Sequence, residues 1–139
     1  MPSKVFNTAK LRIANNSVNL ATGNFYACLV TSEPAVNLNT RSQLAEAAGG
    51  TYSPKDLSGN PQVAASGNDV NFKFNNPGWG SLDTTSRTPI RGVVIVEKAG
   101  SNFSTNDKLM CYCEFSAPFT PNGSTMTAVG FFSGVMVIS

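Results

Sequence analysis

An antiparallel, two-sheet β-sandwich is the fold class that this 139-residue sequence predicts, and three observations lead to it. Short runs rich in β-branched and aromatic residues recur along the chain, each bounded by clusters of Gly, Pro, Asn and Ser. No helical pattern long enough for a crossover stands between successive runs, so the strands have to meet as antiparallel neighbours. Charged residues make up only 13% of the chain, while 15 Asn, 15 Ser and 12 Thr supply neutral polar groups suited to turns and β surfaces.

Taken in order, Phe6 to Ala14 holds enough helix formers for a turn or two. Phe25 to Ser32 is apolar on both parities, with Phe25, Ala27 and Leu29 on one side and Tyr26, Cys28 and Val30 on the other. It reads as a central strand covered on both faces. The stretch from Glu33 to Tyr52 is too long for a plain turn and too polar for a core. It is expected to be a surface excursion carrying a short helix over Ser42 to Ala48, stopped by Gly49 and Gly50. Val70, Phe72 and Phe74 alternate with polar residues, which predicts a half-buried strand with both Phe side chains between the sheets. A turn around Trp79 ends it.

Ile90 to Glu97 is a β-branched strand, and Leu109 to Phe119 pairs with it as a hairpin across the Gly100 to Asp107 loop. Leu109, Cys111, Cys113 and Phe115 share one parity and are expected on one buried face. The chain ends in two short strands broken at Ser133-Gly134, or in one long strand with a bulge there. Residues 1–15 read as an N-terminal segment and residues 16–139 as a single β-sandwich domain. A chain of this length buries roughly 68–70% of its unfolded surface and needs no metal to fold.

Composition also narrows the chemistry. The chain has no histidine, which removes Ser-His-Asp and Cys-His catalytic sets, His-ligated zinc and the usual neutral-pH base. Its eight acids stand singly, without the spacing of a calcium loop, so no metal or cofactor is expected. Glu97 and Glu114 are the acids inside expected strands, where they should face solvent or a cross-strand cation. A paired-carboxylate enzyme would instead need two acids in one cleft. A formal charge of +2 is too small for a nucleic-acid or anionic-lipid field, and no run approaches a membrane span or a signal peptide. The three cysteines are expected to be buried, reduced thiols acting as small apolar residues; the alternative, Cys28 meeting Cys111 or Cys113, requires their strands to be neighbours.

Two places could bind a partner. Trp79, with Tyr52, either caps the edge of the core or forms a stacking platform for sugars. Near the N-terminus, Lys4, Lys10 and Arg12 accompany Val5, Phe6, Leu11 and Ile13, apolar residues that a free tail would leave in water. That segment should therefore pack on its own domain or dock on an acidic partner.

Several strings carry a resemblance: NSVNLATGNFYACLVTS, GGTYSPKDLSG, NDVNFKFNNPGWGSL, TPIRGVVIVEKA, LMCYCEFSAP and the final strand. Together, over roughly residues 15 to 138, they resemble the small jelly-roll cement, or decoration, proteins of tailed bacteriophages. The resemblance implies a jelly-roll sandwich and a non-enzymatic virion protein on the outer surface of an icosahedral head, assembled in the host cytoplasm. Its implied partners are the major capsid protein and copies of itself, as a dimer or trimer, with no nucleic acid or membrane. Residues 4–6 and 10–13 are then the expected capsid or self-association contact. A glycan-binding module, or a tail or fibre component, is the competing expectation.

Overall fold

The computed structural model describes residues 3–20, 23–57, 62–67, 69–73, 79–123, 125–126 and 136–138. Among these the chain is mostly strand, with one α-helix. In order they are β1 (Ser3–Val5), α1 (Asn7–Ala14), β2 (Phe25–Val30), β3 (Lys55–Asp56), β4 (Gln62–Ser66), β5 (Asp69–Lys73) and β6 (Gly80–Ser81). Four more follow: β7 (Ile90–Glu97), β8 (Leu109–Phe119), β9 (Thr125–Met126) and β10 (Met136–Ile138). The strands form a five-stranded sheet in the order β1-β8-β7-β2-β3, a three-stranded sheet β10-β5-β4 and a β6-β9 pair. Every pairing is antiparallel, as the missing crossovers predict.

The five-stranded sheet is apolar on both faces because β2 and the middle of β7 are apolar at every position. On the first face lie Phe25, Ala27, Leu29, Val93, Ile95, Cys111 and Cys113, covered by Ala9 of α1 and by Val18, Leu57, Trp79 and Leu82. On the second lie Tyr26, Cys28, Val30, Val94, Val96 and Tyr112, joined by Phe6 and by Leu38 and Leu44 of the excursion. All six residues of β2 are buried, the central position its composition predicts. Burying each large apolar side chain contributes about 1.5–3 kcal/mol, so this doubly covered strand is the energetic centre of the fold.

Two elements depart from expectation for identifiable reasons. Val96 pairs with Leu109 and Ile95 with Cys111, which leaves Met110 as an extra residue in β8. A bulge of this kind breaks the two-residue alternation. Leu109 therefore lies on the second face, while Met110 and Cys111 both lie on the first, so the predicted shared parity of Leu109 with Cys111 is corrected. The helix expected over Ser42 to Ala48 is corrected too: only Arg41–Gln43 turns, as a single 3-10 turn. Residues 45–47 instead run extended beside the end of β2, where Ala45 O accepts from Thr31 N and Ala47 N donates to Leu29 O, both at 2.9 Å. The backbone of β2 needs partners beyond the two-residue β3, and pairing with it wins over weak local helix propensity.

Phe72 lies in β5 opposite Val63 and Met136, but its side chain and the whole of Phe74 fall outside the described residues, as does the Ser133-Gly134 break. At Gly92 in β7, an added Cβ would sit 2.5 Å from Cys113 O and 2.6 Å from the Tyr112 ring. Gly92→Ala is therefore expected to force the β7–β8 ladder apart and cost about 1–3 kcal/mol, measured as a lower urea midpoint.

Candidate interaction surface and buried polar network

The N-terminal residues take the first of their two expected fates. Lys4 of β1 sits opposite Tyr112 of β8, and Phe6 N donates to Met110 O at 3.1 Å, so the segment is a strand of the main sheet. Helix α1 then starts at Asn7 and returns along the body, burying Ala9 while Val5 and Ile13 pack partly against the first face. Phe6 is only 1% exposed. Two of the three basic residues are already paired: Lys4 with Glu33, and Arg12 with Glu97. Lys4 holds the Glu33 carboxyl below its ordinary pKa.

Of the seven residues expected to make a partner contact, Lys10 and Leu11 face outward, with Leu11 65% exposed. Beside the start of α1 lies Val36, also exposed, whose carbonyl accepts from Asn7 N at 2.9 Å. Helical periodicity holds the signal that sorts these residues. Within α1, Ala9 and Ile13, four residues apart, fall on the side that packs on the first face, while Leu11 falls on the other; Phe6, just before the helix, is buried against the second face.

A buried polar network that composition does not announce ties the excursion to the sheet. Arg41 grips Glu46 through both carboxylate oxygens, at 2.8 and 3.1 Å. The Tyr52 hydroxyl donates to Glu46 Oε2 at 2.5 Å and accepts from Leu29 N at 3.1 Å. Next to it, the Arg41 guanidinium lies 5.7 Å from the centre of the Tyr26 ring, and the Tyr26 hydroxyl donates to Asp107 Oδ2 at 2.6 Å. Asp107, only 2% exposed, also accepts from Ser104 N at 2.9 Å and Ala99 N at 3.3 Å. Burial, more than any neighbouring charge, pushes Tyr26, Tyr52 and Cys28 above their ordinary pKa values, so all three stay neutral at physiological pH.

The remaining acids with described side chains are held by cations. Glu114 meets Arg91 at 3.0 Å, Asp56 meets Lys98 at 3.1 Å and Asp83 meets Arg87 at 2.9 Å. Glu114 thus meets the cross-strand cation its placement predicts, whereas Glu97 is half-buried and its cation, Arg12, comes from α1 and not from a neighbouring strand. Among the described residues no group of three or more Asp, Glu or Cys is arranged to hold a metal ion.

Trp79 is 6% exposed and its indole N–H donates to Ser53 O at 2.9 Å. It caps the edge of the first-face core, and Tyr52 packs against that same core with its hydroxyl engaged. This is the core-edge arrangement; a sugar-stacking platform needs ring faces open to solvent.

All three cysteines are buried thiols. Cys28 lies on the second face and Cys111 with Cys113 on the first, so the sheet separates Cys28 from the pair. Burial raises the Cys111 pKa well above the ordinary thiol range, with Cys113 adding to it. Because the thiolate is the reactive form, native protein should label negligibly with a thiol reagent at pH 7 over minutes, and fully in urea. Rapid native labelling of all three would contradict this burial. Cys111→Ala is expected to cost about 1 kcal/mol, the scale of a small lost core contact.

No known protein family, curated protein or solved structure matches the chain. Among the described residues no helix is long and apolar enough to cross a membrane.

Proposed function

We propose that the chain is a non-enzymatic structural protein of a phage particle, a jelly-roll-type sandwich that decorates the outside of an icosahedral head by bridging major capsid subunits. The carrying observation is that its polar chemistry is spent internally. Acids with described side chains are held by cations or, at Asp107, by the buried Tyr26 hydroxyl and two main-chain amides, and the thiols lie inside the core. Such groups are poor general acids and nucleophiles, whereas a rigid body with a neutral polar surface suits repeated docking. The likeness of its sequence strings to cement proteins supports the same reading.

Function then follows from avidity. A small protein that touches two capsid subunits through modest contacts gains effective concentration from each contact already made. Because it binds the assembled lattice and not the free subunits, it stabilises the shell by mass action. The exposed Lys10, Leu11 and Val36 offer an apolar contact with a basic flank that would steer toward an acidic capsid surface. Assembly would take place in the host cytoplasm.

Cryo-electron microscopy of particles carrying the chain tests the reading. Density at regular positions on the outer head, lost together with heat resistance when the chain is omitted, is the expected result. Density confined to the tail or fibres would overturn it. Leu11→Glu should fold normally and lower head occupancy at least tenfold if α1 forms the contact.

A further inference from the structure

Of the asparagines in the chain, Asn122 alone is followed by glycine. The carboxamide carbon of an asparagine is open to attack by the main-chain nitrogen of the next residue, and glycine, having no side chain, obstructs that approach least. Asn122 and Gly123 are both exposed, and among the described residues no atom lies within 4 Å of the place a Cβ on Gly123 would take. Two other asparagines with small or acidic followers are held more tightly. Ser17 N, after Asn16, donates to Arg12 O at 2.8 Å and to Asn15 Oδ1 at 3.1 Å. Asp107, after Asn106, is buried, and its N donates to Ser104 O at 3.2 Å.

The nitrogen of Gly123 is engaged in the folded chain, donating to Leu82 O at 2.8 Å. That bond prolongs the β6–β9 pair, in which Ser81 lies opposite Thr125 and Gly80 opposite Met126. Thr51 holds the same segment independently: its hydroxyl donates to Ser81 O at 2.8 Å and its N to Asp83 O at 3.0 Å. The Gly123 bond can therefore open while Trp79 and Leu82 stay on the first-face core. Such an opening is local, at the end of a pair only two residues long.

We propose that Asn122–Gly123 is a site of spontaneous covalent modification, gated by release of the hydrogen bond from Gly123 to Leu82. Gly123 N attacks Asn122 Cγ and forms a C–N bond, closing a five-membered succinimide. The bond from Cγ to the side-chain nitrogen breaks, and that nitrogen leaves as ammonia, taking up the proton that Gly123 N gives up. Water then opens the ring at either carbonyl, so residue 122 becomes aspartate or isoaspartate, with no oxidant and no enzyme required. The imide nitrogen carries no hydrogen, so Leu82 O loses this donor for as long as the ring persists. Either product adds one negative charge, taking the formal +2 to +1, and isoaspartate also lengthens the main chain by one carbon just before β9. The clasp between β6 and β9 thus loosens with the age of the chain. The inference is independent of the head-decoration reading, since it concerns the chain in solution and its test requires no particles.

Incubation of the folded full chain in mildly alkaline buffer, followed by peptide mapping with mass spectrometry, tests the site. The peptide containing Asn122 should gain one mass unit before any other asparagine does, and faster as pH rises. Enzymatic methylation specific for isoaspartate should label the same peptide. Asn122→Gln should abolish the change there, because glutamine would have to close a six-membered ring. The same incubation in urea, where the bond to Leu82 is gone, should convert Asn122 severalfold faster, which reads the gate separately from the site. Hydrogen exchange on the aged chain should quicken over 80–82 and stay unchanged in β7. Asn122 left intact in the folded chain while the urea-unfolded chain is converted, another asparagine modified first, or equal rates in the two states would overturn the proposal.

Discussion

Removal of residues 2–12 is expected to abolish cooperative folding rather than to release a dispensable arm. The deletion strips β1 from β8 at Cys111 to Cys113 and leaves that stretch of sheet edge unpaired. It also removes Phe6, whose buried ring alone is expected to be worth about 3–5 kcal/mol by Phe→Ala substitution, together with the buried Ala9. Loss of Arg12 leaves the half-buried Glu97 without its cation. Against a total stability of about 5–15 kcal/mol for a domain, these losses leave little margin.

Differential scanning calorimetry should show no cooperative transition for the truncated chain, and Phe6→Ala should retain one at a lower temperature. A truncated chain that melts within a few degrees of the full one would show that β1 and α1 lie on the body without supporting it. Acid should loosen the same corner. Lys4 lowers the Glu33 pKa in the folded chain, so the ion pair's contribution is complete above the ordinary carboxylate range and fades as pH falls through the folded value.

Asp107→Ala is the second change with a large expected effect. Asp107 lies in the loop before β8, and its two carboxylate oxygens receive the Tyr26 hydroxyl and the amides of Ala99 and Ser104. Replacing it takes the best acceptor from the buried Tyr26 hydroxyl, which keeps only the longer contact to Ser104 O at 3.2 Å. It also removes the partner of two part-buried amides that fix the loop, and a buried donor left unsatisfied costs about 1–3 kcal/mol. A destabilisation of about 3 kcal/mol or more is expected from urea unfolding. Tyr26→Phe removes the hydroxyl's contacts to Asp107 Oδ2 and Ser104 O while leaving the backbone donors satisfied, and should cost about 1 kcal/mol. The order matters as much as the size. If Tyr26→Phe proved the more damaging, Asp107 would serve mainly to place the tyrosine and not to close the loop.

The network also explains how the excursion is held. Arg41 N donates to Asp107 O at 3.0 Å and Ser42 N to Thr105 O at 2.9 Å, so residues 41–42 are stitched to the β7–β8 loop by main chain as well as by side chains. With Tyr26 packed 4.6 Å from the Phe103 ring, and Lys98 4.8 Å above that ring, the loop is weighted down on its outer side. Asp107→Ala should therefore accelerate amide exchange over residues 99–107 and 40–44 together.

Strand positions were legible where composition and local period point the same way. β2 declares itself by being apolar at six consecutive positions, and the β7–β8 hairpin by two β-rich runs around a loop of turn residues. The burial of the cysteines follows from their apolar neighbours, and the helix at 7–14 from its content of helix formers. These are local properties, dictated by the side chains themselves and by the alternation of an extended backbone. Low charge, the missing histidine and the absence of metal-ligand spacing likewise bound the chemistry without reference to any fold.

Other features depend on which segments meet in space. The bulge at Met110 assigns Leu109 and Cys111 to opposite faces, and it arises from the register between β7 and β8, which neither strand encodes alone. Residues 45–47 extend because the end of β2 has main-chain groups to satisfy, a demand made by a strand more than ten positions away. Trp79 sits at the core edge because Ser53 presents a carbonyl to its indole, and Asp107 is buried because Tyr26, 81 residues distant, brings a hydroxyl to it. Hydrophobic pattern and propensity act over a few residues. Register, strand partners and the pairing of buried polar groups are settled by packing energies shared among distant segments, and these acquire definite values only when the sheet is assembled.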